Sequence, residues 1–255
     1  MISTSALKEP ARAVGSFYAM SLDTLLAIPR RPFAWRELLL QTWFVARVSV
    51  APTLMLIVPF TVLTVFTVNI LLTEIGAADF SGSGAALGIV TQTGPVVTVL
   101  VVAGAAATAM CADLGARTIR EELDALRVLG IDPVQALVVP RVIGATIVAL
   151  LLNGCVTVFG LTGGLLFSVF FQHVTPGAYV QGLTLLVGVP EVATATVKSA
   201  LFGMVAALIA CHKGLAADGG PQGVGNAVNE TVVFSFMALF VINVLATGVG
   251  VEVGK

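Results

Sequence analysis

Beyond residue 47 the chain alternates between long apolar runs and short polar breaks. Five runs stand out: about Val48–Leu72, Ala86–Ala112, Pro133–Phe171, Val192–Cys211 and Val228–Val251. A helix crosses a bilayer with roughly 20 apolar residues, and each run supplies that many. Pro52, Pro59 and Pro95 fall within runs and are expected to kink them, which neighbouring helices tolerate. Residues 10–47 follow a different pattern. Val14, Phe17, Leu22, Leu25 and Leu26 recur at roughly helical spacing, and Pro29-Arg30-Arg31-Pro32 then interrupts them. Trp35, Leu38, Leu39, Trp43 and Phe44 follow, interleaved with Arg36, Glu37 and Arg47. Tryptophan and arginine together suit the headgroup layer, so this region predicts one or two interfacial helices; the alternative is an ordinary soluble extension. The expected division is an amphipathic region, 1–47, and a five-helix membrane domain, 48–255.

The distribution of Lys and Arg orients the spans. Residues 1–47 hold Lys8, Arg12, Arg30, Arg31, Arg36 and Arg47, and the second inter-span connection holds Arg117, Arg120 and Arg127. Arg141 follows in the first turns of the long third run, which are expected at the same interface, and Lys213 opens the fourth connection. Connections 73–85 and 172–190 have neither residue. The expectation is a cytoplasmic N-terminus and a C-terminus on the outer side of the inner (plasma) membrane.

Composition agrees. Hydrophobic residues make up 57% of the 255 residues and charged ones 11%, against about 25% charged in soluble proteins, and mean hydropathy is +1.01. The net charge of −1 gives no sign of a nucleic-acid binder. Cys111, Cys155 and Cys211 lack any metal-ligand spacing and read as small buried hydrophobes. The first residues lack the pattern of a cleaved signal peptide.

Three polar features interrupt this picture. Asp113–Pro133 predicts a short helix with Ile119, Leu123, Leu126 and Leu129 along one side and Arg120, Glu121, Asp124 and Arg127 elsewhere. Gly130 fits its stop and Pro133 the next start. Such a helix is either a solvated connection or a lever gripped by a cytoplasmic partner. His212–Glu230, with five glycines and one proline, reads as a flexible link or a folded patch beside it. Lys198 lies about two turns, roughly 10 Å, inside the fourth span. A cation there is expensive, so it either snorkels or faces a polar cavity; Glu191, seven residues earlier on the same face, favours the cavity. Gly160 with Gly164, and Gly104 with Thr108, are small-residue pairs that signal close packing.

Catalytic signatures are missing. GVEVGK at 250–255 has the wrong spacing for a phosphate loop and lacks its Ser/Thr. His173 and His212 are expected on opposite sides of the membrane, so they share no relay or metal. If energy is used, another chain supplies it. An ion-coupled secondary transporter would need intramembrane acids that the span centres lack. A non-transporting membrane scaffold would not need the charged helix.

The run ADLGARTIREELDALRVLGIDPVQALVVPR, Ala112–Arg141, resembles the signature of the MlaE/YrbE permeases, membrane subunits of ABC transporters that move lipids together with MCE proteins. GPVV at Gly94–Val97, KSALFG at Lys198–Gly203 and CHKG…GGPQGVGNAVNETVV at Cys211–Val233 match in order. The resemblance implies an all-α integral membrane permease whose coupling helix, about 117–130, sits in a groove of a partner ATPase. Glu121, Glu122, Asp124 and Arg127 would be its polar contacts, with Leu123 and Leu126 packing and Arg117 and Arg120 on the same segment. Lys198, with Glu191, would lie near the lipid pathway. The Arg-Glu pair usual before GPVV is replaced by Thr91 and Gln92, and the GRAG-like pattern after it by Gly104-Ala105-Ala106-Ala107. ADLGAR and IREE resemble the actinobacterial YrbE branch, whose members come as two unlike permeases, and with the lost charges this implies one half of a heterodimer with a second YrbE-type permease. A cytoplasmic ABC ATPase dimer carrying ATP and Mg, and MCE-domain proteins outside, would complete it; this chain itself would bind no cofactor. Fatty or mycolic acids or sterols, moving inward, are the implied cargo.

Overall fold

A computed structural model describes residues 4–30, 33–77, 80–172 and 174–253. Arg31, Pro32, His173, the last two residues of GVEVGK and the side chain of Lys8 lie outside the described part. The described chain is all helical. α1 is Thr4–Ala27, α2 Trp35–Glu74, α3 Ser81–Ile119, α4 Glu122–Val128, α5 Val134–Phe171, α6 Pro176–Gly182, α7 Val189–Leu215 and α8 Pro221–Val253. Five of them, α2, α3, α5, α7 and α8, are long and apolar enough to span a membrane. The protein is a five-span membrane protein with the short helix α4 between spans two and three.

The predicted boundary at residue 47 is not a break: the backbone runs unbroken from Trp35 through Pro52 and Pro59. At 1.5 Å per residue its 40 residues measure about 60 Å, twice the roughly 30 Å hydrocarbon thickness. Its first turns can therefore keep an interfacial character, with Trp35 and Trp43 exposed, without forming a separate helix. One stripe of α2 is buried: Val45, Ser49, Thr53, Ile57, Thr61 and Val65 recur every four residues, the ridge that packs into another helix's groove. The groove belongs to α5. A Cβ on Gly144 would come within 2.9 Å of Thr42 Oγ1, and one on Gly164 within 3.1 Å of Val65 Cγ2 and 2.7 Å of the Tyr179 hydroxyl. Gly160 and Gly164 thus admit α2 and α6 to α5, while Asn69 Nδ2 donates to Ser168 Oγ across the contact at 3.2 Å.

α3 threads the centre of the bundle, with Val97, Ala103, Met110 and Leu114 fully buried against α5, α7 and α8. It is not uniform. Ile89–Thr93 and Val102–Ala106 are π-helical turns. Pro95 explains the first: it has no N–H for the Thr91 carbonyl, and its ring crowds that carbonyl. The chain widens instead, so that Gly94 N–H reaches back five residues to Ile89 O.

The glycine-rich connection is shorter than the sequence suggests. α7 continues to Leu215 and α8 begins at Pro221, leaving a tight turn with positive φ at Gly219 (83°) and Gly220 (75°). Gly223 and Gly225 are helical. Proline at a first helical position is a helix start, and helices that pack closely carry glycine without unwinding. Of the cysteines, Cys111 and Cys211 are buried as expected, but Cys155 is exposed on the outer face of α5.

Candidate functional site: a lysine-lined pocket and a polar coupling end

The pocket lies towards the end of the bundle opposite α4. Thr91 and Gln92 reach it from the π-turn of α3, Glu191, Thr194 and Lys198 from the first turns of α7, and Thr247 from the last third of α8. Leu87, Ala195 and Gly250 complete its wall. Its volume is about 330 Å³, near the lower bound of about 300–1,000 Å³ for small-molecule sites. The two pairs of candidate positions, Thr91 with Gln92 and Glu191 with Lys198, about 100 residues apart in sequence, therefore meet in one cavity. The π-turn contributes here, because the extra residue in that turn sets the direction of Thr91 and Gln92; such turns recur at functional sites.

Lys198 is 2% exposed, so its side chain does not extend to water around the chain. Its Nζ donates to Thr247 Oγ1 at 2.6 Å, and that hydroxyl donates to Asn243 O at 2.6 Å. An ammonium carries three donors, so the Thr247 bond leaves capacity directed at the pocket. Glu191 does not neutralise it. Its Oε2 instead accepts from Gly188 N–H at 2.8 Å, closing the N-terminal turn of α7. Thr194, Thr247 and Gly250 were not foreseen. Thr194 stands four residues before Lys198, a spacing that shares a helix face; nothing in the sequence marks Thr247 or Gly250. Gly250 is needed for closeness, since a Cβ there would meet Thr194 Cγ2 at 2.6 Å.

The opposite end carries the charges. α3 ends at Ile119, so Arg117 belongs to the span and not to the short helix. The chain turns at Arg120-Glu121, with Glu121 left-handed at φ 59°, and α4 follows. It closes with a Schellman arrangement, Gly130 N–H to Arg127 O at 3.0 Å and Ile131 N–H to Leu126 O at 2.9 Å, with Gly130 at φ 74°. Asp132 Oδ1 then accepts from Val134 N–H at 3.0 Å and starts α5.

This end is tied to the spans through one carboxylate. Asp113 Oδ2 on α3 accepts from Arg141 Nη2 of α5, and Arg141 is fully buried. Arg117 Nε lies 3.3 Å from the same oxygen, and Arg117 Nη1 stands 3.9 Å from Glu122 on α4. Arg120 Nε pairs with Glu122 at 2.9 Å. Arg141 was foreseen only as an interfacial cation; it is instead the buried end of a chain of charges running out to α4. Lys213 on α7 pairs with Glu230 on α8 at 2.6 Å and lies 4.6 Å over the Phe234 ring.

The apolar side of α4 differs from the sequence pattern. Leu123 is buried in the chain's own core and Leu126 packs against it. Ile119 is still part of α3, and Leu129 falls in the cap, so the four do not form one stripe. The apolar side chains that face outward are Val128 and Leu129, 87% and 72% exposed. Among the described residues no three His, Cys, Asp or Glu side chains gather where a metal could bind.

Residues 38–249 match the family described as Permease MlaE. The chain belongs to the MlaE permease family. It is 34% identical over 168 residues to a probable ABC transporter permease protein of Synechocystis, covering 66% of this chain and 64% of that protein. With a probable ABC transporter permease protein of Rickettsia conorii it shares 30% identity over 247 residues, 93% of this chain and 92% of the relative. The Arabidopsis thaliana chloroplastic protein trigalactosyldiacylglycerol 1 is 30% identical over 169 residues, 66% of this chain and 48% of its own. This MlaE-family permease is a transport subunit and not an ATPase, and the breadth of its relatives places it in the family at large, without singling out the actinobacterial branch.

Proposed function

We propose that this permease forms half of a transmembrane lipid pathway, with Lys198, Glu191, Thr91 and Gln92 lining the place where a lipid's polar end rests. The observation that carries this reading is their convergence in one cavity around a buried ammonium whose hydrogen bond to Thr247 leaves donors over, with Leu87 and Ala195 as apolar wall. A lipid headgroup with an acidic oxygen suits that ammonium, and apolar surfaces suit the tail.

α4 is the coupling helix in this reading, facing a partner ABC ATPase that holds ATP and Mg. Glu121, Glu122, Asp124 and Arg127 offer charge, and Val128 and Leu129 offer apolar contact. Closure of the ATPases displaces α4, and the Glu122–Arg117–Asp113–Arg141 chain passes that displacement to α3 and α5. The N-terminus lies in the cytoplasm and the C-terminus outside, as the Lys and Arg asymmetry supports. A second YrbE-type permease faces this one, and MCE-domain proteins receive or deliver the lipid outside. The ADLGAR and IREE sequences and the uncharged Thr91-Gln92 support the actinobacterial branch, a heterodimer, and fatty or mycolic acids or sterols as imported cargo.

Replacing Lys198 by Ala tests the pathway. The expected result is loss of labelled fatty-acid uptake in cells while ATPase and second permease still co-purify in mild detergent. Normal uptake by the assembled variant would refute the role of Lys198, and absence of any ATPase from the wild-type preparation would favour a scaffold.

A further inference from the structure

A second cleft lies at the α4 end of the bundle, opposite the Lys198 pocket. It is formed by Ile28, Pro29 and Arg30 after α1, by Phe33, Trp35 and Leu38 at the start of α2, and by Ile143 and Ile147 of α5. Its volume is about 1010 Å³. We propose that it is a binding site for one anionic phospholipid, the phosphate at Arg30 and the acyl chains along Trp35, Leu38, Ile143 and Ile147.

Three observations carry this assignment. The walls are apolar and open sideways, beside an outer face of α2 on which Trp35, Leu39 and Trp43 are 68–71% exposed; a surface of that kind on a spanning helix meets lipid. The mouth carries a cation: Arg30 lines it and forms no ion pair among the described residues. Glu37, the acid in the first turn of α2, is engaged by Gln41 Nε2 at 2.8 Å. The site is also built and not merely left over. Gln135 Nε2 donates to Arg30 O at 3.4 Å, holding the turn on α5, and the Phe33 and Trp35 rings meet edge-on at 4.8 Å. Basic pockets between membrane helices recognise lipid phosphates in this way. The cleft is separate from the transport pocket and does not rest on the pathway proposed above.

The chain contains two tryptophans, Trp35 and Trp43, which makes the test local. In a Trp43→Phe background, Trp35 alone fluoresces at the cleft. The full chain is reconstituted in phosphatidylcholine vesicles containing a minor fraction of either brominated phosphatidylglycerol or brominated phosphatidylcholine, whose bromines quench on contact. The expected result is a phosphatidylglycerol advantage of about fivefold in the fraction needed for half quenching, the enrichment one arginine gives near an anionic headgroup. Arg30→Gln brings the two curves together, Arg30→Lys keeps them apart, and Lys198→Ala leaves them unchanged. Equal quenching by the two lipids in the parent, or an undiminished difference in Arg30→Gln, overturns the proposal. If inorganic phosphate alone abolishes the difference, the cleft takes a free anion and not a lipid, which also overturns it.

Discussion

Replacing Asp113 by Asn should be far more damaging than removing its buried partner. Arg141 is fully buried and depends on Asp113 for its charge partner, while Arg117 Nε stands 3.3 Å from the same oxygen. Neutralising Asp113 leaves two guanidinium groups facing an uncharged amide, one of them away from water. Breaking a buried pair from the side that strands a charge costs about 3–5 kcal/mol. At about 2–4 °C per kcal/mol for a chain of this length, melting should fall by at least roughly 6 °C. Arg141→Met removes the stranded group itself. The Asp113 side chain is 31% exposed and keeps Arg117, so the cost should lie within about 1 kcal/mol of zero, as apolar replacements of buried ions often do. The double variant should then recover most of what Asp113→Asn loses. Thermal unfolding of the purified permease in detergent, followed by its tryptophan emission, measures all three. Equal losses in the two single variants, with no recovery in the double, would refute the reasoning that burial of Arg141 and not loss of the bond sets the cost.

Glu121→Gly should stabilise the protein by roughly 1 kcal/mol, because glycine adopts φ 59° without the Cβ penalty; chemical denaturation in detergent reads the change. Gly203→Leu should abolish a stable fold, since even a Cβ there would lie 2.6 Å from Ala145 O and 2.7 Å from Thr146 Cα, and expression as a monodisperse species measures it. Glu122→Lys with Asp124→Lys should reduce ATPase co-purification at least tenfold, about 1.4 kcal/mol of binding, with melting lowered by no more than about 4 °C, because Asp124 is 69% exposed and the pairs Glu122 makes with Arg120 and Arg117 are partly exposed ones worth about 0–1 kcal/mol; co-purification at the parental yield would refute the docking role.

The spans were legible because a bilayer demands a length of apolar chain that five runs satisfy. Their ends were less so. Glycines 214, 223 and 225 read as loop, yet all lie within helices, Gly214 packed against Cys111 and Leu114 of α3, and Pro221 was the better signal for the start of α8. Periodicity finds the leucine stripe without saying which body it faces; the outward packing of Leu123 and Leu126 is implied by resemblance alone, and the fold turns both toward the chain's own core. Lys198 was recognisable as an expensive cation, and Glu191 as its neighbour on one helix face. Thr247, 49 positions away, joins them only because α8 packs beside α7. Thr91 and Gln92 entered through resemblance alone; the structure adds the π-turn that carries them.

The two π-turns of α3 have a consequence for how its ends relate. Each residue of an α-helix advances the direction of its side chain by about 100°. The segment from Leu87 to Asp113 contains both wide turns, so the angular offset between pocket and polar end includes both local departures. Drawing α3 as an ideal rod would leave its length plausible while aiming Thr91 and Asp113 at the wrong neighbours. Helix phase, set near Pro95 and again at Val102–Ala106, determines that one face meets Lys198 while another meets Arg141.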